Sequence, residues 1–188
     1  AAGDGLWKAR GLVVALGSPA WPQAGASDAA LRLARSFGHE IVPPRPALAP
    51  LRMPAGWPSA GADCAALTGI SLPVRVDLPQ SELSRDSWTD SLLFTHDGIS
   101  GPAALKASLF WNEGEPLRLN FAPDADVEAL IDAPENGKTQ ALTVIRRLMP
   151  QRLADALTPS DSGRRKCAEL SRAHRRQIAD AVQRHVVV

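Results

Sequence analysis

Residues 92–108 read LLFTHDGISGPAALKAS. Leu92-Leu93-Phe94-Thr95-His96 is an apolar, β-prone run and predicts a strand. Asp97-Gly98 interrupts it with a turn dipeptide. Pro102 to Trp111 then reads as a helix, with Leu105, Leu109 and Phe110 clustered. Ser100 or Gly101 serves as its N-cap, and Pro102 sits in the first turn, where a missing N–H does no harm. The string is therefore a strand-to-helix turn. Backbone N–H groups at the helix start, with the helix dipole, suit an anion or a substrate carbonyl. His96 can exchange protons near neutral pH. Thr95, His96 and Ser100 are the candidate catalytic residues. A plainer reading, a capped helix after a tight turn with His96 bonded locally, is preferred on residue pattern alone.

Moving outward, Leu117-Arg118-Leu119-Asn120-Phe121 is a further strand. Upstream, Ile70, Leu72, Val74 and Val76 alternate with Gly69, Ser71, Pro73, Arg75 and Asp77. Period two predicts a strand with one wet face, and Pro73 places it at an edge or inserts a bulge. Residues 50–66 are rich in Pro, Gly and Ala and read as loop. Pro43-Pro44-Arg45-Pro46 is a stiff, extended linker.

Nearer the start, Leu12-Val13-Val14-Ala15-Leu16 is a continuous apolar run, expected as a buried parallel strand. It stops at Gly17-Ser18-Pro19, and an irregular loop continues to residue 26. Ser27 or Asp28 caps a helix carrying Leu31, Ala34 and Phe37, closed by Gly38. Gly17, Ser18 and Gly25 follow a strand and precede a helix. They are candidate cofactor contacts at the carboxyl end of a parallel strand, or an ordinary βα loop.

The last third is helical. Leu142, Ile145, Leu148 and Met149 form one apolar stripe, and Leu153, Ala156 and Leu157 form a second after Pro150. Residues 158–163 read as loop. Ser171 caps a final helix with His174, Ile178, Ala181 and Val182. From Lys138 onward 11 basic residues face 4 acidic ones, a net +7, while residues 1–137 carry 10 against 16, a net −6. Opposite signs suggest two structural units. Arg164, Arg165, Lys166, Arg172, Arg175 and Arg176 could contact phosphates. A solvated helix face, the usual reading of such a run, is preferred over nucleic-acid binding, and with no Phe, Trp or Tyr after Phe121 base stacking on single strands is not expected.

The remaining chemistry is sparse. Hydrophobic residues are 45% and charged residues 22% of the 188, a globular balance that excludes a disordered chain. No apolar run is long enough for a transmembrane helix, and the first residues lack a secretory pattern. Cys64 and Cys167 form no CxxC, so neither a cysteine-rich zinc site nor a disulfide framework is expected, and a reduced, cytoplasmic setting is the default. His39, His174 and His185 offer no metal spacing. Glu82, Asp86 and Asp90 read as solvated loop charges.

Three stretches together resemble one family: LVVALGSPAWPQAGASDAALRLARSFGHEIVPPRPALAPL (12–51), LTGISL (67–72) and LLFTHDGISGPAALKAS (92–108). In this order they resemble the HI0933/YhiN/BaiN-like bacterial flavoproteins, NAD(P)/FAD-dependent oxidoreductases. LRLNFAPD and LMPQRLADAL fit the same pattern. The family's N-terminal GxGxxG fingerprint and its C-terminal glycine-rich segment are missing. The resemblance therefore implies the insert-domain region of a larger flavoprotein.

It departs from the family at Ala15-Leu16-Gly17-Ser18, where the family has an ATGG-like turn, and at Ser27-Asp28-Ala29-Ala30, where it has TGDG. Loss of glycines at Ser18, Asp28 and Ala30 leaves less room for backbone to approach a flavin.

The expectation is an α+β chain. Residues 1–50 would be a partial FAD-binding-domain strand, loop and helix, 51–133 a β-rich barrel-like insert, and 134–188 a small helical unit. The resemblance implies FAD in the parent protein, with Gly17, Ser18 and Gly25 near it only there, and none bound to this piece alone. The insert would cover the flavin and shape a pocket for an unidentified small molecule, docked on the remainder of the FAD domain. Alone it would be inactive. The alternative is a non-enzymatic RNA- or protein-binding module that uses the basic helices.

Overall fold

The computed structural model describes residues 8–59, 62–79 and 87–187. Glu82 and Asp86 lie outside the described residues. The chain divides into two units, Ala1–Pro46 and Ala47–Val188.

In the first unit, helix α1 spans Ala29–Ser36. Asp28 stands at its N-cap but turns its carboxylate to Arg32 one turn on, not to the backbone. Its end follows expectation: Gly38 has φ +83°, its N–H donates to the Arg35 carbonyl, and the His39 N–H reaches back to Ala34. That paired arrangement satisfies carbonyls which the helix leaves orphaned.

The expected buried strand at 12–16 is absent. These residues have no regular structure, and Val13 is 90% exposed. A buried parallel strand needs neighbours on both edges and cover on both faces. No described residue of 8–46 is buried, so the unit offers neither.

The second unit holds β1 (Leu51–Arg52), α2 (Cys64–Leu67), β2 (Ser71–Asp77), β3 (Trp88–Phe94), β4 (Gly98–Ser100), α3 (Gly101–Ala107), β5 (Leu117–Asn120), α4 (Val127–Asp132), α5 (Ala141–Ile145), α6 (Gln151–Leu157), α7 (Ser160–Gly163), α8 (Arg172–Gln183) and β6 (His185–Val187). The architecture is α+β. One antiparallel sheet runs β1-β4-β3-β2-β5-β6. Two segments read as loop carry structure: 50–66 contains β1 and α2, and 158–163 contains α7.

The alternation in β2 sets which face is covered. Leu72, Val74 and Val76 are buried, while Ser71, Pro73 and Arg75 face solvent. Each such aliphatic side chain contributes about 1.5–3 kcal/mol on burial. Pro73 pairs across to Ser91 of β3, but β5 covers β2 only over Arg75–Asp77. Proline therefore sits where the strand's other side is open, and its missing N–H breaks no ladder bond there.

The sheet's two ends are drawn together by rings. Trp57, just after β1, stacks on Phe94 of β3 at 5.8 Å, and Phe94 stacks on Phe121 at 6.2 Å. His185 of β6 meets both Trp57 and Phe121 edge to face. Edge strands β1 and β6 thus curl toward one another, giving the barrel-like form. The helical residues share this core: Ile178 and Val182 of α8 are fully buried with Val127 and Ile131 of α4. The segments expected as separate units at 51–133 and 134–188 form one compact body, because β6 from the chain's end pairs with β5.

Candidate functional site

Residues 95–102 form a hairpin turn, then a short strand, then a helix. Thr95 closes the turn, its N–H donating to the Gly98 carbonyl at 2.8 Å and its hydroxyl to the same oxygen at 3.2 Å. β4 intervenes before α3, a strand not anticipated from the residue pattern. Glycine is required here by close approach. A Cβ at Gly98 would lie 2.1 Å from the Leu51 carbonyl oxygen, and one at Gly101, where φ is +82°, 2.8 Å from that of Ser91. The D-G and S-G-P glycines let β1 and β3 press against this segment.

The three candidate catalytic residues are placed differently. Ser100 begins α3 as N-cap but makes no side-chain capping bond. Thr95 is occupied in the turn. His96 projects outward, its side chain 79% exposed, with Nε2 3.2 Å from an Asp97 carboxylate oxygen. His96 and Asp97 rim a cavity of about 330 Å³ that also involves Arg52, Met53, Asp63 and Cys64. The Met53 N–H donates to the Asp97 carbonyl at 3.1 Å and fixes the turn over β1.

Arg52 and Asp63 fell in the stretch read as loop. Asp63 had a legible signal: it caps α2, accepting from the Ala66 N–H three residues on at 2.8 Å. Arg52 had none, since only pairing of β1 with β4 brings it here. Cys64 is buried, and burial with the nearby Asp63 carboxylate pushes its thiol up to about 11. It is no nucleophile at neutral pH. The rim brings Arg52, Asp63, His96 and Asp97 around one cavity.

The proposed cofactor contacts lie in the first unit. Gly17 and Gly25 both have positive φ, and a Cβ on either would meet nothing within 4 Å. Ser18 Oγ accepts from the Ala20 N–H at 3.4 Å. No group of three or more His, Cys, Asp or Glu side chains that could hold a metal occurs among the described residues. No helix among them is long and apolar enough to cross a membrane.

A second feature is electrostatic. Arg164, Arg165, Lys166, Arg172 and Arg176 are exposed, whereas Arg175 is half-buried and paired with Asp132 of α4. Arg176 and Arg184 lie near Asp180 on the same helix.

A family model described as HI0933-like protein barrel and H2TH domain matches residues 45–188. The chain is 35% identical over 151 residues to the ribosomal RNA dihydrouridine synthase of Haemophilus influenzae, covering 79% of this chain and 36% of that protein. It is 31% identical over 148 residues to the ribosomal RNA dihydrouridine synthase of Escherichia coli, covering 78% of this chain and 35% of that protein. The chain thus spans about a third of the length of the curated relatives it matches.

Proposed function

The chain belongs to the HI0933-like family, and from that premise we propose that it is the barrel-and-helix region of a flavin-dependent enzyme that reduces uridine in ribosomal RNA. The observation that carries this reading is the 35% identity over 79% of the chain to a protein of that name. Dihydrouridine differs from uridine by two electrons and two protons across one ring double bond. A reduced flavin supplies hydride chemistry of this kind when bound. In this proposal FAD is held mainly by the remainder of the protein, with Gly17, Ser18 and Gly25 near it only in that context.

The residues of this chain would cover the reacting ring and exclude water. The cavity beside His96 and Arg52 is the place where they would meet a substrate. The alternative, an RNA-binding module with no chemistry of its own, draws support from the basic C-terminal segment.

The full-length protein decides between them. Purified, it should show an oxidised-flavin absorption spectrum. Cells lacking its gene should lose a dihydrouridine from ribosomal RNA, and the intact gene should restore it. A colourless protein removes the flavin, and unchanged dihydrouridine content removes the reaction.

A further inference from the structure

The structure assigns a phosphate-contacting strip for double-helical RNA to the two crossing segments 137–141 and 164–168, a placement that rests on the ribosomal-RNA reading above. Gln140 and Lys166 form an isolated antiparallel bridge. Around it the Ala141 N–H donates to the Arg165 carbonyl at 3.1 Å, Cys167 to Thr139 at 2.9 Å and Ala168 to Gly137 at 3.1 Å. This short ladder puts Lys138 opposite Ala168, two residues from the Gln140–Lys166 bridge, with Arg165 and Arg164 toward its other end, and all four cations are exposed. Alternation along it buries Cys167 and leaves Lys138 and Lys166 on the outer face. Arg147 adds a fifth cation: it donates to Asn136 Oδ1 at 3.1 Å, next to Gly137, and its charge reaches Cys167.

Contrast with neighbouring cations makes the strip notable. Arg146 is paired with Asp155, Arg175 with Asp132 and Arg184 with Asp180. None of the five strip residues has an ion pair among the described residues. Glu169 is close, but it faces the Lys166 backbone N–H at 3.4 Å. Five like charges held together without an ion pair among the described residues repel one another, and a polyanion relieves that repulsion by releasing its own counterions.

At the Arg164 end the strip opens on a cavity of about 250 Å³, also lined by Arg146, Asp155, Thr158 and Ser160. Thr158 is buried, and its hydroxyl has no hydrogen-bond partner among the described residues.

The ligand is a duplex backbone, not a splayed single strand. No Phe, Trp or Tyr lies in 137–141 or 164–168, so neither segment carries an aromatic ring for bases to stack on.

The test measures binding of the whole chain to a labelled mixed-sequence RNA duplex across a salt series. Lys138→Gln/Arg165→Gln/Lys166→Gln is compared with Arg32→Gln/Arg75→Gln/Arg118→Gln, which removes equal charge elsewhere. Thermal unfolding of both confirms folding. The strip variant should lower the slope of log affinity against log salt by roughly 2–3, while the control keeps the parent slope. Equal losses in both variants overturn the strip. So does parent-like binding by the strip variant, which leaves the ribosomal-RNA reading standing. Tighter binding to single strands, equal binding to polyglutamate, or no binding by the parent chain at low salt also overturns it. The enzymatic reading is judged separately by dihydrouridine content.

Discussion

Trp57 and His185 meet edge to face, ring centroids 5.5 Å apart and planes at 74°, joining the segment after β1 to β6 at the opposite edge of the sheet. His185 Nδ1 lies 3.1 Å from the Ala181 carbonyl and must donate to it. Nε2 is then a bare acceptor, and it and the Trp57 indole N–H are both buried without a hydrogen-bond partner among the described residues. Burial pushes the His185 pKa down, and the bond to Ala181 opposes this only in part.

A pH dependence follows with a definite sign. The unfolded chain takes up a proton at His185 below about pH 6.5, and the folded chain resists it. Stability from this group is complete above that pH. It falls by about 1.4 kcal/mol per unit as pH drops from there toward the lowered folded value. Urea unfolding from pH 8 to pH 5 should show the decline, and His185→Phe should flatten it. An equally steep decline in His185→Phe would place the effect elsewhere.

Gly98→Ala is expected to destabilise the chain by more than about 3 kcal/mol, because its methyl would overlap the Leu51 carbonyl, itself part of β1. Gly17→Ala meets open space and strains only its φ of +76°, at a cost of about 1 kcal/mol. Paired denaturant curves measure the difference, and equal midpoints would contradict the packing at β4.

His96→Ala should leave unfolding within about 0.5 kcal/mol of the parent, since its Asp97 contact is exposed. If the full-length protein has the proposed activity, the same change should lower dihydrouridine formation at least tenfold. Undiminished formation would remove His96 from the chemistry.

Ser171→Ala should cost about 1 kcal/mol. Its hydroxyl oxygen accepts from the His174 N–H at the start of α8 and also contacts His174 Nδ1 at 2.9 Å. The loss appears as a lower unfolding midpoint with an unchanged denaturant slope.

Both cysteines should resist a thiol reagent at pH 8 in the native chain and react promptly in urea. Cys64 and Cys167 are buried, and burial pushes both thiols up. Fast native labelling would show that the α2 region opens readily.

Several site elements were legible because their signals are local. Ser171 announces α8, Gly38 announces the end of α1, and period two in 70–77 marks which residues of β2 are buried. A cap or a pleat depends on residues a few positions apart. The run at 12–16 misled for the same reason. Its hydrophobicity reads as a strand, but a strand exists only by pairing, and residues 8–46 contain no partner for it. β1 and β6, two and three residues long, carry too little pattern to be read without the strands they join.

By itself the sequence determined the α+β class, most helix and strand positions in 67–183, and the family, through strings whose turns demand particular glycines. Tertiary structure alone decided which distant residues share a surface. It put Arg52 beside His96, set Gln140 against Lys166, and closed Trp57 onto His185. Those relations depend on pairings across the sheet and between loops, where each contact is stabilised by the whole body and leaves no mark on its neighbours in the chain.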